Sequence, residues 1–252
     1  MHRIGLHAAL ATTAVALALT ACGPSGDGAG VPGRSTAVDP CAGVAGCAEV
    51  AVADVDGDGS PDRVGVARQK VESSPEITTL VATRNTVHTL TLKARGIAYP
   101  TPAEIYRGAF AISRAEGADL ALHLVPGRGN AEQFAVVTWD GAKLVTLAPP
   151  PYVNGNEAVK TTDFWYLGSS HGTQHTVKCL QPAEIALVQL SAAVAEGVPV
   201  EGGGKREEDR FTFVGSGWQA SGSTNVADTS YSYSFDAHTA VFAGCKDVGR
   251  KP

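Results

Sequence analysis

What the chain lacks narrows its chemistry first. It has no basic patch: 20 lysines and arginines face 25 aspartates and glutamates, for a net charge of −5. A nucleic-acid partner needs a clustered positive face that neutralises phosphates, so none is expected. Charged residues of both signs reach only 18%. Gly, Ala, Val, Ser and Thr dominate instead, a balance that suits β structure with many turns. Beyond the first 21 residues no apolar run approaches the roughly 20 residues of a membrane helix. No C-x-x-C pair marks a redox centre. No alternation of strand-like and helix-like segments marks a parallel α/β fold.

What is present begins at the N-terminus. Met1-His2-Arg3 is a short positive segment, and an apolar run follows from Ile4 to Leu19, interrupted only by Gly5, His7, Thr12 and Thr13. This is the layout of a secretory signal with small residues at its end. Leu19-Thr20-Ala21-Cys22 resembles the bacterial lipobox. That resemblance implies a lipoprotein signal peptide over 1–21, cleavage before Cys22, and acyl chains (palmitate among them) on Cys22. It also implies residence on the outer face of the cytoplasmic membrane, extracytoplasmic and tethered. Each buried CH₂ contributes about 0.8 kcal/mol, so two or three chains anchor stably. The alternative is an ordinary signal peptide cut nearby, with Cys22 incidental. The richness in Ala, Gly and Val is similar to that of high-GC actinobacterial proteins.

Residues 22–40 read as a flexible tether, because Gly23 to Pro40 offers almost no large apolar side chain to bury. With Cys22 set aside, Cys41, Cys47, Cys179 and Cys245 remain. An even number in an exported chain reads as disulfides, and four cysteines allow three connectivities. The expected pairs are Cys41–Cys47 and Cys179–Cys245.

Strand signals run through the folded part. AEVAVA over 48–53 enters an acidic stretch, and RVGVAR over 63–68 leaves it. Residues 77–82 and 86–92 alternate, with a turn at Arg84-Asn85. Residues 109–112 and 119–125 are further strands. FAVVTWDGAKLVTL over 134–147 reads as a hairpin about Asp140-Gly141. Pro149-Pro150-Pro151 suggests a boundary between two halves, 41–150 and 151–252. In the second half, 164–167, 176–180, 210–214 and 231–235 are expected as strands, and 185–195, whose apolar residues fit either a strand or a helix, is read as a strand. Gly202-Gly203-Gly204 with the following KREEDR reads as a polar hairpin loop.

The acidic stretch carries the sharpest chemistry. Asp54-Val55-Asp56-Gly57-Asp58-Gly59-Ser60-Pro61-Asp62 spells D-x-D-x-D-G-x-x-D. Calcium is a hard cation that takes six to eight oxygens. Asp54, Asp56, Asp58 and Asp62 would offer carboxylates, Ser60 its backbone carbonyl, and Gly59 the sharp turn. An EF-hand is excluded, because its twelfth-position Glu is here Gly65 and no amphipathic helix flanks the loop. The segment resembles the FG-GAP (VCBS-like, integrin-α-type) repeat, in which two strands flank such a loop. The resemblance implies a calcium-binding β-hairpin and covers about a tenth of the chain. A looser echo, AFAISRAEGADLALHL over 109–124, keeps only Glu116 and Asp119 of the acidic set. A full propeller needs at least four blades, so partial blade-like pieces are expected.

Other constellations tempt. Gly168-Ser169-Ser170-His171-Gly172 fits the G-x-S-x-G of hydrolases, and Asp236 and His238 follow in the right order. That elbow must lead into a helix, whereas Thr173 to Cys179 is β-branched. His171, His175 and Cys179 would share a helix face as zinc ligands, but the segment is a poor helix former. His88 and His123 read as ordinary, partly exposed histidines. Trp139, Trp165, Trp218, Tyr231 and Tyr233 could line a sugar or peptide groove, or simply pack a sheet.

The expectation is therefore a mainly β protein with antiparallel sheets, a calcium-binding hairpin and two disulfides. Its function is expected to be that of a surface binding or assembly module whose partner is an envelope ligand or protein. The alternatives are an envelope serine hydrolase using Ser170 and a purely structural envelope protein.

Overall fold

The computed structural model of the protein describes residues 38–71, 74–94, 101–125, 132–151, 153–154, 157–158, 164–170, 172–232 and 234–252. The expected signal peptide, Cys22, most of the tether, His171 and Tyr233 lie outside the described residues. So do the side chains of Ser170 and His238.

Alternating sequence builds the first sheet. Strands β1 (Cys47–Ala53), β2 (Asp62–Val71), β3 (Ser74–Thr83) and β4 (Thr86–Lys93) pair antiparallel in that order. In β4, Leu90 and Leu92 turn toward the core while Thr89, Thr91 and Lys93 face water. Thr91 meets Thr78 across the strands at 2.9 Å, the side-chain pairing that stabilises a ladder. The turn between β3 and β4 falls on Arg84 and Asn85. Four antiparallel strands in sequence order form a single blade-like sheet.

One helical turn, α1 (Pro102–Ile105), leads into a larger sheet. Its strands are β5 (Tyr106–Phe110), β6 (Asp119–Val125), β7 (Glu132–Trp139) and β8 (Leu144–Thr146). A short hairpin of β9 (Val153–Asn154) and β10 (Glu157–Ala158) intervenes. Then come β11 (Trp165–Ser170), β12 (Thr173–Gln181), β13 (Glu184–Ala195), β14 (Val198–Val214) and β15 (Gly217–Ala227), followed by α2 (Ala237–Ala240). The order is β15-β14-β13-β12-β11-β7-β6-β5, with β8 also on β7. The sheet is continuous and open, with β15 and β5 at its two ends, and is neither a closed barrel nor a ring of blades.

The fold is thus mainly β with antiparallel sheets. The sheets do not divide at the triple proline, since β11 beyond it pairs with β7 before it. They divide between β4 and β5.

β6 and β7 explain the packing. Both are buried along almost their whole length, polar Asp119, His123, Gln133 and Thr138 included, and a strand buried on both faces needs no alternation. Leu120, Leu122, Leu124, Ala135 and Val137 join Val64, Val66, Ile77 and Val81 of the first sheet in one core. On the opposite face, Phe134 and Val136 meet Trp165, Val177, Ile185 and Phe211, closed over by Val241 and Phe242 beyond α2. The Cys179–Cys245 disulfide ties that C-terminal cover to β12, and Cys41–Cys47 closes the entry to β1. Both expected pairs are present.

Two segments depart from expectation. The polar hairpin loop expected over 202–210 is instead part of the 17-residue strand β14. Its charges are paired sideways. Arg206 reaches Glu208 and Asp228, and Asn225 of β15 donates to Glu207 at 2.8 Å. The turn falls earlier, on Glu196 and Gly197, whose φ values of 52° and 80° suit a tight hairpin. Conversely, the described residues of 231–235 form no strand. The backbone there bonds to side chains: Ser230 N–H donates to Asp228, and Ser234 N–H to the Ser232 hydroxyl. Such local bonds compete with a ladder. β15, rich in Ser, Gly and Asn, carries no strand signal in its sequence and forms because β14 offers it an edge.

Candidate functional site

The acidic loop joins β1 to β2. Ala51 and Ala53 bury on one face of β1, and Val55 continues inward to full burial. The alternating residues Asp54, Asp56 and Asp58 are left toward the outside. Gly57 and Gly59 both take φ +80°, a conformation that side-chained residues avoid. Those two reversals curl the chain so that one carboxylate oxygen of each of Asp54, Asp56 and Asp58 lies within 4.8 Å of the others. Two oxygens bound to the same calcium at its usual bond lengths lie within about 5 Å of each other, so the set fits a hard divalent cation.

The loop holds its shape through backbone bonds. Asp54 accepts Gly57 N–H at 2.8 Å and Gly59 N–H at 3.0 Å. Asp56 accepts Asp58 N–H at 3.1 Å, and Asp58 accepts Ser60 N–H at 2.7 Å. The bonds from Ser60, with Arg84 adding its charge 3.0 Å away, hold the Asp58 carboxyl below its ordinary range.

Asp62 stands apart from the trio. It is buried, and its Oδ2 accepts Val55 N–H at 2.8 Å and Asp56 N–H at 3.3 Å. Burial pushes its pKa up to about 6, and the charges of Asp56 and Asp54 add to the rise.

A second loop of the same build joins β5 to β6. Asp119 is fully buried, and its Oδ2 accepts Ile112 N–H at 3.1 Å and Ser113 N–H at 2.6 Å. Those donors sit seven and six residues upstream, as in the first loop. Ala111, Ser113 and Ala115 stand where Asp54, Asp56 and Asp58 stand in the first loop, and Glu116 is exposed. Burial raises the Asp119 pKa against the hydrogen bonds of Thr138 and Ser113. The two loops abut: a Cβ added at Gly57 would lie 3.2 Å from the Glu116 carbonyl. Arg114 locks them, donating from Nη2 to the Val55 carbonyl and from Nη1 to the Trp139 carbonyl at 3.0 Å. Sequence reading passed over Arg114; its signal was a lone cation in an apolar, loop-adjacent segment.

The other constellations resolve as follows. Ser169 and Ser170 end β11 and pair with Gln174 and Thr173 of β12, so β11 is followed by a paired strand and not by the helix of a hydrolase elbow. His175 lies on a strand, bonded to Gln189 at 3.0 Å, and Cys179 is in a disulfide. His123, expected to be partly exposed, is fully buried, 2.5 Å from Glu132 and stacked on Phe134. Trp165 is buried, while Trp139 and Trp218 border a cleft of about 720 Å³. Tyr231 is buried and does not line that cleft.

Compared with known proteins, the chain matches no family model, no curated protein and no solved structure.

Proposed function

We propose that the protein is a lipid-anchored envelope module that holds one structural calcium ion in the β1–β2 loop and presents its β sheets as a binding or assembly surface. The carrying observation is the convergence of three carboxylates on a nine-residue curl whose two glycines adopt left-handed φ. Asp54, Asp56 and Asp58 would hold the ion, with Ser60 close by. Asp62 shapes the loop from below by fixing the N–H groups of Val55 and Asp56. Calcium would offset the repulsion among these acids and tie β1 to β2. Extracellular calcium modules bind at roughly 10⁻⁴ to 10⁻³ M, an affinity that suits a permanent staple outside the cell. The anchor rests on Leu19-Thr20-Ala21-Cys22.

Calorimetric titration of the chain from Ser35 onward tests the ion. Saturable binding that disappears in Asp56→Ala/Asp58→Ala supports the reading, and no heat at millimolar calcium ends it. The anchor is tested separately by detergent-phase partition of the expressed protein. Cys22→Ala should move it to the aqueous phase.

A further inference from the structure

The cleft beside the second loop is separate from the acidic trio. At about 720 Å³ it falls within the roughly 300–1,000 Å³ of small-ligand sites. Its walls are aromatic. Trp139 closes β7, Phe213 lies near the end of β14, and Trp218 opens β15. All three are only partly buried.

Both indoles are held in place. Trp218 Nε1 donates to the Ala148 carbonyl at 2.8 Å, and its ring meets Phe213 and the buried Trp165 edge-on at 5.0 and 6.3 Å. Trp139 meets His88 edge-on at 4.6 Å. Platforms fixed before binding lose little entropy when a ligand arrives.

The polar inventory selects the ligand. An extended peptide needs backbone donors and acceptors along its groove. Here the carbonyls of Trp139, Leu147 and Ala148 already accept from Arg114, Trp165 and Trp218. Pro149 and Pro151 on the rim have no N–H to give. Among the described lining residues the cation is Arg114, and both its Nη atoms donate to backbone carbonyls, which disfavours an anion. The side-chain groups that the lining offers a ligand include the hydroxyls of Thr146 and Ser216 and the exposed carboxylate of Asp140. Backbone N–H groups of Lys143 and Ala142 hold that carboxyl below its ordinary range, so it stays an acceptor. Flat apolar faces with hydroxyl partners and one carboxylate match a neutral sugar ring, which has a C–H face and a rim of donors.

We propose that this cleft is a saccharide-binding site in which Trp218 and Trp139 stack on sugar rings and Asp140 accepts sugar hydroxyls. The site gives the envelope module a ligand class, and it does not depend on the calcium loop.

The test is tryptophan fluorescence of the full chain in a non-glycosidic detergent, titrated with chitotetraose and with maltohexaose. The chain has three tryptophans, and the third, Trp165, is buried, so a change reports on the cleft. A saturable change with either sugar is expected, weakened about tenfold in Trp218→Ala, a loss of one stacking platform. Asp140→Asn keeps a turn-forming residue before Gly141 and an oxygen to accept the Ala142 and Lys143 N–H groups, so it should weaken binding with only a small drop in melting temperature. This second variant decides the matter if Trp218→Ala unfolds. No change with either sugar overturns the proposal, and so does a response to decaproline in the absence of one to sugar. Repeating the titration without calcium separates the two sites. Sugar binding that survives calcium removal upholds the cleft whatever calorimetry says of the loop.

Discussion

In the β1–β2 hairpin the loop ends on Asp62, which accepts the N–H groups of Val55 and Asp56; in β5–β6 it ends on Asp119, which accepts those of Ile112 and Ser113. Val55 and Ile112, which precede the second of those donors in each loop, are both fully buried. The positions that alternate with this plug differ. The first loop carries Asp54, Asp56 and Asp58, and the second carries Ala111, Ser113 and Ala115. Both turns are therefore based on the buried aspartate and the apolar plug beneath it, and in the first loop the carboxylate trio adds its own backbone bonds and charge. Bracing differs too. Cys41–Cys47 lies against Gly65 of β2, whereas β5 is held by the C-terminal segment, with Val248 N–H donating to Ala109 at 2.8 Å. Arg250 carries that same segment on to β1, bonding Val52 in both directions at 2.8 Å.

The strongest way to break the parallel is Asp119→Ala. It strands two backbone donors and the Ser113 hydroxyl in the core. Losing such partners should cost about 3 kcal/mol, read as a lower urea midpoint. Asp62→Ala should cost less, since no side-chain hydroxyl depends on Asp62 in the same way.

Calcium should come next. A hundredfold excess over Kd stabilises a one-site protein by about 2.7 kcal/mol. The gain should vanish in Asp56→Ala/Asp58→Ala and persist in Ser113→Ala, which melting curves with and without calcium would show. Replacing Cys41 and Cys47 by Ser opens a loop of six-residue separation and should cost about 2 kcal/mol in the chain-entropy model. The loss should fall on β1–β2, leaving hydrogen exchange of β5–β6 unchanged.

The effect of pH is confined to the calcium-free protein. The native Asp62 pKa of about 6 lies above the roughly 3.9 of an unfolded Asp. In calcium-free protein the native state thus binds the extra proton between about pH 4 and 6, and stability falls as pH rises through that window. Asp62→Asn should flatten the fall in urea midpoints across that range. The lowered carboxyls of Asp58, Asp140 and Asp228 act in the opposite sense, below about pH 4.

Much of this was legible in the residues. Alternation over 86–92 announces a half-buried strand, because side-chain direction in a strand repeats every two residues, and the β-rich stretches over 119–125 and 134–138 announce strands whose burial on both faces only the packing shows. Asp140-Gly141 marks its hairpin for a local reason: Asp140 accepts the N–H groups of Ala142 and Lys143, both at 2.9 Å. The same locality made the acidic loop readable, since its carboxylates bond within a few positions of themselves. Residues 202–210 and 217–227 were opaque, since their strand state depends on a neighbouring edge and on charges paired across it.

The sequence by itself determined the β class and the acidic curl, because each follows from periodicity or from contacts a few residues long. Tertiary structure alone decided that Arg114 joins two loops, that β6 and β7 serve two cores, and that Trp139 and Trp218 face one cleft. Those arrangements bring together residues far apart in the chain, and local composition carries no record of which distant partner completes a buried bond or closes a wall.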